Sequence, residues 1–184
     1  RDSSTSRGLG DVYKRQRPIR AVLFDMDGVM VDSEFVYMKY LLEFAKEKNP
    51  AVTMEDINQM VGRSRQDSWT VMERAVNNGE TWETLIKEWA ERDIYSRIDY
   101  RKIFRPEMKT TVQELKRRGY TVALVSSTGP KLISRIVEEV GMRPEFDLIV
   151  SGKQFKQSKP NPEIYHYTAD TLGIREDELS LIHI

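Results

Sequence analysis

Three short segments of the chain are almost continuously apolar: residues 19–24, 120–125 and 146–150. Runs of this length without alternation suit strands buried on both faces of a parallel sheet. Between them the apolar positions recur at the helical period. In 106–118, Met108, Val112 and Leu115 share one face, and Gly119 stands where a helix-ending glycine belongs. In 132–140 the stripe is Leu132, Ile133, Ile136, Val137 and Val140, followed by Gly141. A helix over 162–172 follows the start signal Asn161-Pro162. Strands alternating with helices predict an α/β fold with right-handed crossovers.

Residues 33–100 follow a different rule, with helical periodicity and no convincing strand. Phe35, Met38, Leu41, Leu42 and Ala45 form one stripe. Short helices are expected over 54–61 and 68–76, and Trp82, Leu85, Ile86 and Trp89 stripe another. The pattern predicts an all-α domain over 33–100, inserted into a core made of 17–32 and 101–178.

The two ends of the chain fit neither pattern. Residues 11–16 read DVYKRQ and residues 179–184 read LSLIHI. DNA encoding the first hexapeptide can be the reverse complement of DNA encoding the second, and that DNA resembles the transposon end used in sequencing libraries. Residues 1–16 and 179–184 are therefore expected to be non-native adapter tails, with the core truncated at its C-terminal side. On that expectation residues 21–24 would form an exposed sheet edge, inviting association, and the chain would be poorly soluble and close to inactive.

Composition narrows the picture. The chain has 184 residues, with 29 basic and 29 acidic side chains and no cysteine. Balanced charge gives no general affinity for nucleic acid or an anionic membrane. The absence of cysteine removes thiolate and disulfide chemistry and is compatible with the cytoplasm, where the protein is expected. No apolar run approaches membrane-spanning length.

Chemistry gathers at the ends of the predicted strands. Asp25 and Asp27 follow the first, two positions apart, and Gly28 permits a tight turn and close approach to a ligand. Ser126, Ser127, Thr128 and Gly129 follow the second and open a helix, a place suited to an anion. After the third comes Lys159, in the stretch SKPNPEIY. Ligands of open parallel sheets bind at the carboxyl ends of strands. Two acids, hydroxyls and a lysine gathered there suit phosphoryl transfer. One carboxylate attacks phosphorus, the other shuttles a proton, and hydroxyl, N–H and ammonium groups hold the phosphoryl oxygens. Carboxylates beside a phosphate require a divalent cation, and oxygen ligands favour magnesium.

These residues resemble the motifs of the haloacid dehalogenase superfamily, in its phosphatase and beta-phosphoglucomutase-like branch with an inserted helical cap. The first motif, DxDGV, is met by Asp25, Met26, Asp27, Gly28 and Val29. The second is met by Ser126, and the third by Lys159 in KPNPEIY. The resemblance covers nearly all of 17–178. It implies a Rossmannoid parallel sheet, with Asp25 as nucleophile, Asp27 as general acid and base, and Lys159 as a further catalytic group. It also implies substrate contacts from Gly28, Ser126 and Ser127, and Mg2+ held by the Asp25 side chain and the Asp27 backbone carbonyl. A fourth motif, carrying further acids after the next strand, is not met. Glu176, Asp177 and Glu178 fall before that strand and are read as solvated loop charges.

In the stretch VGRSRQDSW, 61–69, which resembles a cap loop of sugar-phosphate enzymes, Arg65 is expected to contact a substrate phosphate or polar head. Sugar phosphomutases of the branch usually carry a histidine in the first cap helix. None stands in that helix here, so the resemblance favours a phosphatase over a mutase. Asp27 argues against a dehalogenase, and the intact motif residues argue against a catalytically silent phospho-ligand binding protein. The expected partner is a small phosphomonoester, with no nucleic acid and no membrane, and a monomer when complete. His166, the three tryptophans and the run Lys116, Arg117, Arg118 are read as surface, core and helix-end residues in turn.

Overall fold

The computed structural model of this chain describes residues 18–157 and 159–182, so the tail expected at 1–16 lies outside the described residues, as do Ser158, His183 and Ile184. The chain divides into two compact units. One contains 18–31 and 104–182 of the described residues, and the other is Asp32–Ile103.

The first unit is built on four parallel strands, β1 (Ala21–Phe24), β2 (Thr121–Ser126), β3 (Leu148–Ser151) and β4 (Leu179–Ile182), in the order β3-β2-β1-β4. All four residues of β1 are buried. Side chains alternate across a strand. Ala21, Leu23, Ala123, Val125 and Val150 therefore share one face, which packs with Ile164 and Ile174. Helix α7 (Glu107–Arg117) precedes β2, α8 (Pro130–Glu139) joins β2 to β3, and α9 (Glu163–Leu172) lies between β3 and β4. Met108 and Val112 of α7 are buried, as are Ile133, Ile136 and Val137 of α8. The basic run at the end of α7 has a local partner, since Arg117 and Arg118 both reach Glu114, at 2.7 and 2.6 Å.

Strand β4 corrects the expected exposed edge. Residues set aside as a tail pair with β1 in register, from Ala21 against Leu179 to Phe24 against Ile182. The physical reason is their period of two. Leu179 and Leu181 pack on the same cluster as Ala21 and Leu23, while Ser180 and Ile182 face the other way and line an open cavity of about 670 Å3 with Val22 and Leu115. The acids before β4 also differ from expectation. Asp177 pairs with Arg175 in solvent, but Glu178 is buried, accepts the Arg175 N–H at 3.1 Å and lies 3.7 Å from Arg20. Its carboxylate pins the turn into β4.

The second unit is helical: α1 (Ser33–Lys48), α2 (Met54–Asn58), α3 (Arg65–Val76), α4 (Trp82–Glu91), α5 (Ile94–Arg97) and α6 (Tyr100–Ile103). Helix α3 begins three residues before its expected start. Ser64 caps it, accepting the Asp67 N–H at 3.2 Å and donating to the Asp67 carboxylate at 2.7 Å, a pairing that satisfies an otherwise orphaned donor. The buried stripe of α1 is Leu41, Phe44 and Ala45, whereas Phe35 is exposed with Lys39 over its ring. Phe44 meets Trp69 and Trp89 edge-on, and Trp69 and Trp89 are buried, so these aromatic rings form the centre of this unit. Around it Lys48 pairs with Glu80 and Glu88, and Arg92 with Glu47 and Glu88.

Candidate active site

Strand β1 runs from its buried residues straight into Asp25, whose N–H donates to the Ile182 carbonyl at 2.9 Å. The chain then turns. Met30 and Val31 donate to the Met26 carbonyl at 2.8 and 3.1 Å, and the Gly28 N–H donates to Val31 O at 2.9 Å. Gly28 holds φ at 75°, a left-handed conformation that a glycine adopts without a Cβ penalty. This turn fixes the two acids beside each other while their side chains meet different partners.

Asp25 meets the lysine. Its Oδ1 accepts the Met26 N–H at 2.8 Å, and its Oδ2 lies 3.1 Å from Lys159 Nζ. Lys159 also donates to the Val125 carbonyl at 2.7 Å and sits 5.8 Å from the centre of the Tyr165 ring. A carbonyl, a carboxylate and a ring face thus aim one ammonium at the end of β1. The Tyr165 phenol is pushed up, by burial first and by the negative charge of Asp25 second.

Asp27 meets the hydroxyls. Its Oδ2 accepts from Thr128 Oγ1 at 2.9 Å and from Ser126 Oγ at 3.4 Å. Ser126 is fully buried at the end of β2, and its Oγ also accepts the Thr128 N–H at 3.0 Å. Ser151, at the end of β3, donates to the Thr128 carbonyl at 2.6 Å. Gly152 then passes so close that a Cβ there would lie 3.2 Å from the Ser127 Cα and 3.4 Å from the Ser126 carbonyl oxygen.

Asp25, Asp27, Ser126 and Lys159 are therefore brought together, with Gly28 in the turn that places them. Ser127 lies at the same edge, but its side chain is exposed. Thr128, not Ser127, supplies the second hydroxyl on Asp27. The cluster SSTG showed that hydroxyls gather here, yet which one reaches the acid depends on the backbone of the turn. Ser151 and Gly152 carried no sequence signal of their own, and Tyr165 entered only as the last residue of KPNPEIY. Arg65 belongs to the helical unit, exposed in the first turn of α3. His166 is exposed and contacts Glu176.

Two carboxylates and backbone carbonyls make an all-oxygen donor set, which suits a hard divalent cation that keeps several of its waters. Among the described residues no group of three or more His, Cys, Asp or Glu side chains could hold a metal ion, so the protein side chains present would leave such a cation open to water and to an anionic ligand. No helix of the described residues is long and apolar enough to cross a membrane.

Known proteins resemble this chain. The family model described as haloacid dehalogenase-like hydrolase matches residues 22–182. A phosphoglycolate phosphatase of Photorhabdus laumondii is 26% identical over 170 residues, covering 89% of this chain and 71% of the relative. A phosphorylated carbohydrates phosphatase of Thermotoga maritima is 24% identical over 158 residues, covering 85% and 72%. Among solved structures, a Thermotoga maritima protein provisionally assigned as a beta-phosphoglucomutase superposes with a TM-score of 0.71 at 23% identity, covering 89% of this chain and 75% of that one. At that identity the likeness speaks for the fold.

Proposed function

Because the chain belongs to the haloacid dehalogenase-like hydrolase family, we propose that it hydrolyses small phosphomonoesters, sugar phosphates foremost, by way of a phosphoryl group carried on Asp25. The observation that carries this reading is the convergence at one sheet edge of Asp25 with Lys159, at 3.1 Å, and of Asp27 with Thr128, at 2.9 Å. Phosphatases among the relatives support the same reaction.

An Asp25 oxygen attacks phosphorus while the bond to the leaving oxygen breaks. A protonated Asp27 gives its proton to that leaving oxygen. Asp27, now ionised, takes a proton from the incoming water, which attacks the aspartyl phosphate and releases inorganic phosphate. Lys159, Ser126 and backbone N–H groups of the turn between β2 and α8 hold the phosphoryl oxygens as their charge shifts. Lys159 suits this role because Val125 and Tyr165 aim it before any ligand arrives. Magnesium, held by the Asp25 carboxylate and the Asp27 backbone carbonyl, would supply charge neutralisation between the acids and the phosphate.

The helical unit acts in this reading as a substrate-selecting cap, with Arg65 offered to a polar head. The enzyme works in the cytoplasm as a monomer on a small molecule, with no nucleic-acid or membrane partner. Balanced charge and the absence of cysteine support that setting.

The test is release of inorganic phosphate from a panel of phosphomonoesters in the presence of magnesium. Asp25→Asn abolishes turnover, because an amide is a poor nucleophile. Near-normal phosphate release by that variant would end the aspartyl-phosphate mechanism.

A further inference from the structure

The Asp27 side chain does not fix its own carboxylate. It is short, and the torsion that turns an aspartate carboxyl group is broad. A general acid must nevertheless stand within hydrogen-bond reach of the oxygen it protonates, and an error of about 1 Å costs roughly 10²-fold. The constraint comes from outside the turn that carries the acids. Thr128 Oγ1 donates to Asp27 Oδ2 at 2.9 Å, while Ser126 Oγ reaches the same oxygen at 3.4 Å, the longer and weaker contact.

Thr128 is itself held at each of its polar groups. Its N–H donates to Ser126 Oγ at 3.0 Å, and its carbonyl accepts from Ser151 Oγ at 2.6 Å. Ser126 and Ser151 are buried at the ends of β2 and β3. Gly152, next to Ser151, presses on the same turn, since a Cβ there would stand 3.2 Å from Ser127 Cα. The branched Thr128 side chain is also stiff at χ1. Gly129 rather than Thr128 is the N-cap of α8, so the hydroxyl is not taken up in starting that helix.

We propose that Thr128, braced by Ser151, is the positioning residue of Asp27 and fixes the carboxyl group from which the leaving oxygen is protonated. This role rests on the phosphatase reading above. Two other roles lead to different behaviour. A hydroxyl that served only the fold would affect every substrate alike. One that bound the phosphoryl group would do the same, since that group is common to all phosphomonoesters. A hydroxyl acting through Asp27 matters in proportion to the leaving oxygen's need for a proton. Its loss therefore weighs most on alkyl phosphates and least on aryl ones.

Thr128→Val keeps the branched shape and removes the O–H. The full chain and its variants are compared on glucose 6-phosphate and p-nitrophenyl phosphate with magnesium. In Thr128→Val, kcat for glucose 6-phosphate falls roughly tenfold, as loss of one hydrogen bond to a charged group does. The fall for p-nitrophenyl phosphate is about threefold or less, and KM holds for both. Thr128→Ser, which keeps the O–H, restores most of the loss. Ser151→Ala, which takes the donor from the Thr128 carbonyl, shows the same selectivity at smaller size and carries the test if Thr128→Val does not fold. In an Asp27→Asn chain, adding Thr128→Val costs nothing further, because residues acting through one another are not additive.

Crystal structures of the parent and of Thr128→Val separate the positioning role from the reading beneath it. The expected result is an Asp27 carboxylate turned away from its place in the parent, and returned to it in Thr128→Ser. That result in a chain that releases no phosphate supports the placement and strikes the phosphatase reading alone. An Asp27 carboxylate that keeps its place in Thr128→Val, equal losses on the two substrates, or a full further loss in the Asp27→Asn background each overturns the proposal.

Discussion

The two units of this protein collect polar groups by different physical routes. In the sheet unit, Asp25, Ser126 and Lys159 come from distant parts of the sequence and meet because parallel strands deliver their ends to one edge. Several polar groups there are engaged with one another: Lys159 on Asp25 and Val125, Thr128 on Asp27. In the helical unit, Tyr37, Arg65 and Asp93 line one cavity beside the aromatic centre, and among the described residues the Arg65 and Asp93 side chains have no ion-pair partner. A preorganised edge suits chemistry, where charge must be met at once. A cavity with spare donors and acceptors suits recognition.

The difference can be broken at the sheet edge first. Asp27→Asn leaves the proposed nucleophile in place and removes the proton shuttle, a loss of about 10²–10⁴-fold in turnover. Alkyl phosphates, whose leaving oxygen needs the proton, lose more than aryl phosphates. Equal losses on the two substrate types would remove Asp27 from the role of acid. Truncating the centre of the helical unit comes next. Phe44 is fully buried against two tryptophans, and Phe44→Ala costs about 3–5 kcal/mol, read as a loss of cooperative helical unfolding by circular dichroism. A change of a few tenths would mean that the aromatic centre collapses around the gap.

Gly152→Ala sharpens the comparison with a single methyl group. Its Cβ meets backbone at 3.2 Å, not a flexible side-chain end, so the loop bearing Ser127 must move. The expected cost is about 1–3 kcal/mol with a severalfold fall in turnover. Unchanged kinetics would show that the hydroxyl loop tolerates displacement.

The smallest effect lies in the ion pairs of the helical unit. The hydrogen bond from Lys48 is the main cause that holds the Glu88 carboxyl below its usual range. A depressed carboxylate stabilises the fold above the unfolded pKa, and that stabilisation is lost as pH falls through the folded value. Lys48→Met therefore lowers melting at neutral pH by about 1 kcal/mol or less, since the pair is partly exposed. The gap to the parent closes on acidification through the carboxylate range. A gap that persists at low pH would assign the loss to packing of the Lys48 stem.

Much of the sheet edge was legible in the chain because a parallel sheet turns sequence order into position. An apolar run followed by DxDG has few other places to go. What escaped was set by local backbone. The sequence names three hydroxyls after β2, and only the turn decides that Thr128 rather than Ser127 reaches Asp27. Gly152 matters through a 3.2 Å approach to a loop some 25 positions earlier, which no periodicity reports. The helical cavity was hidden for another reason. The tryptophans read as core, and Trp69 and Trp89 are indeed buried, while also forming a wall. Strand β4 is hidden because the coding of 179–184 points to a tail, whereas the alternation of Leu179 and Leu181 with Ser180 suits a strand.

The contact between the Asp25 N–H and the Ile182 carbonyl gives the site a history as well as a shape. The strand bearing Asp25 is among the first described residues made, and its partner on one side is made roughly 160 positions later. During synthesis β1 can pair with β2 long before β4 exists, and closing so long a loop is slow compared with forming a helix. Asp25, the proposed nucleophile, therefore waits without that amide contact until residues 179–182 are delivered. A ribosome that stalls before β4 leaves Asp25 without the backbone contact made by Ile182.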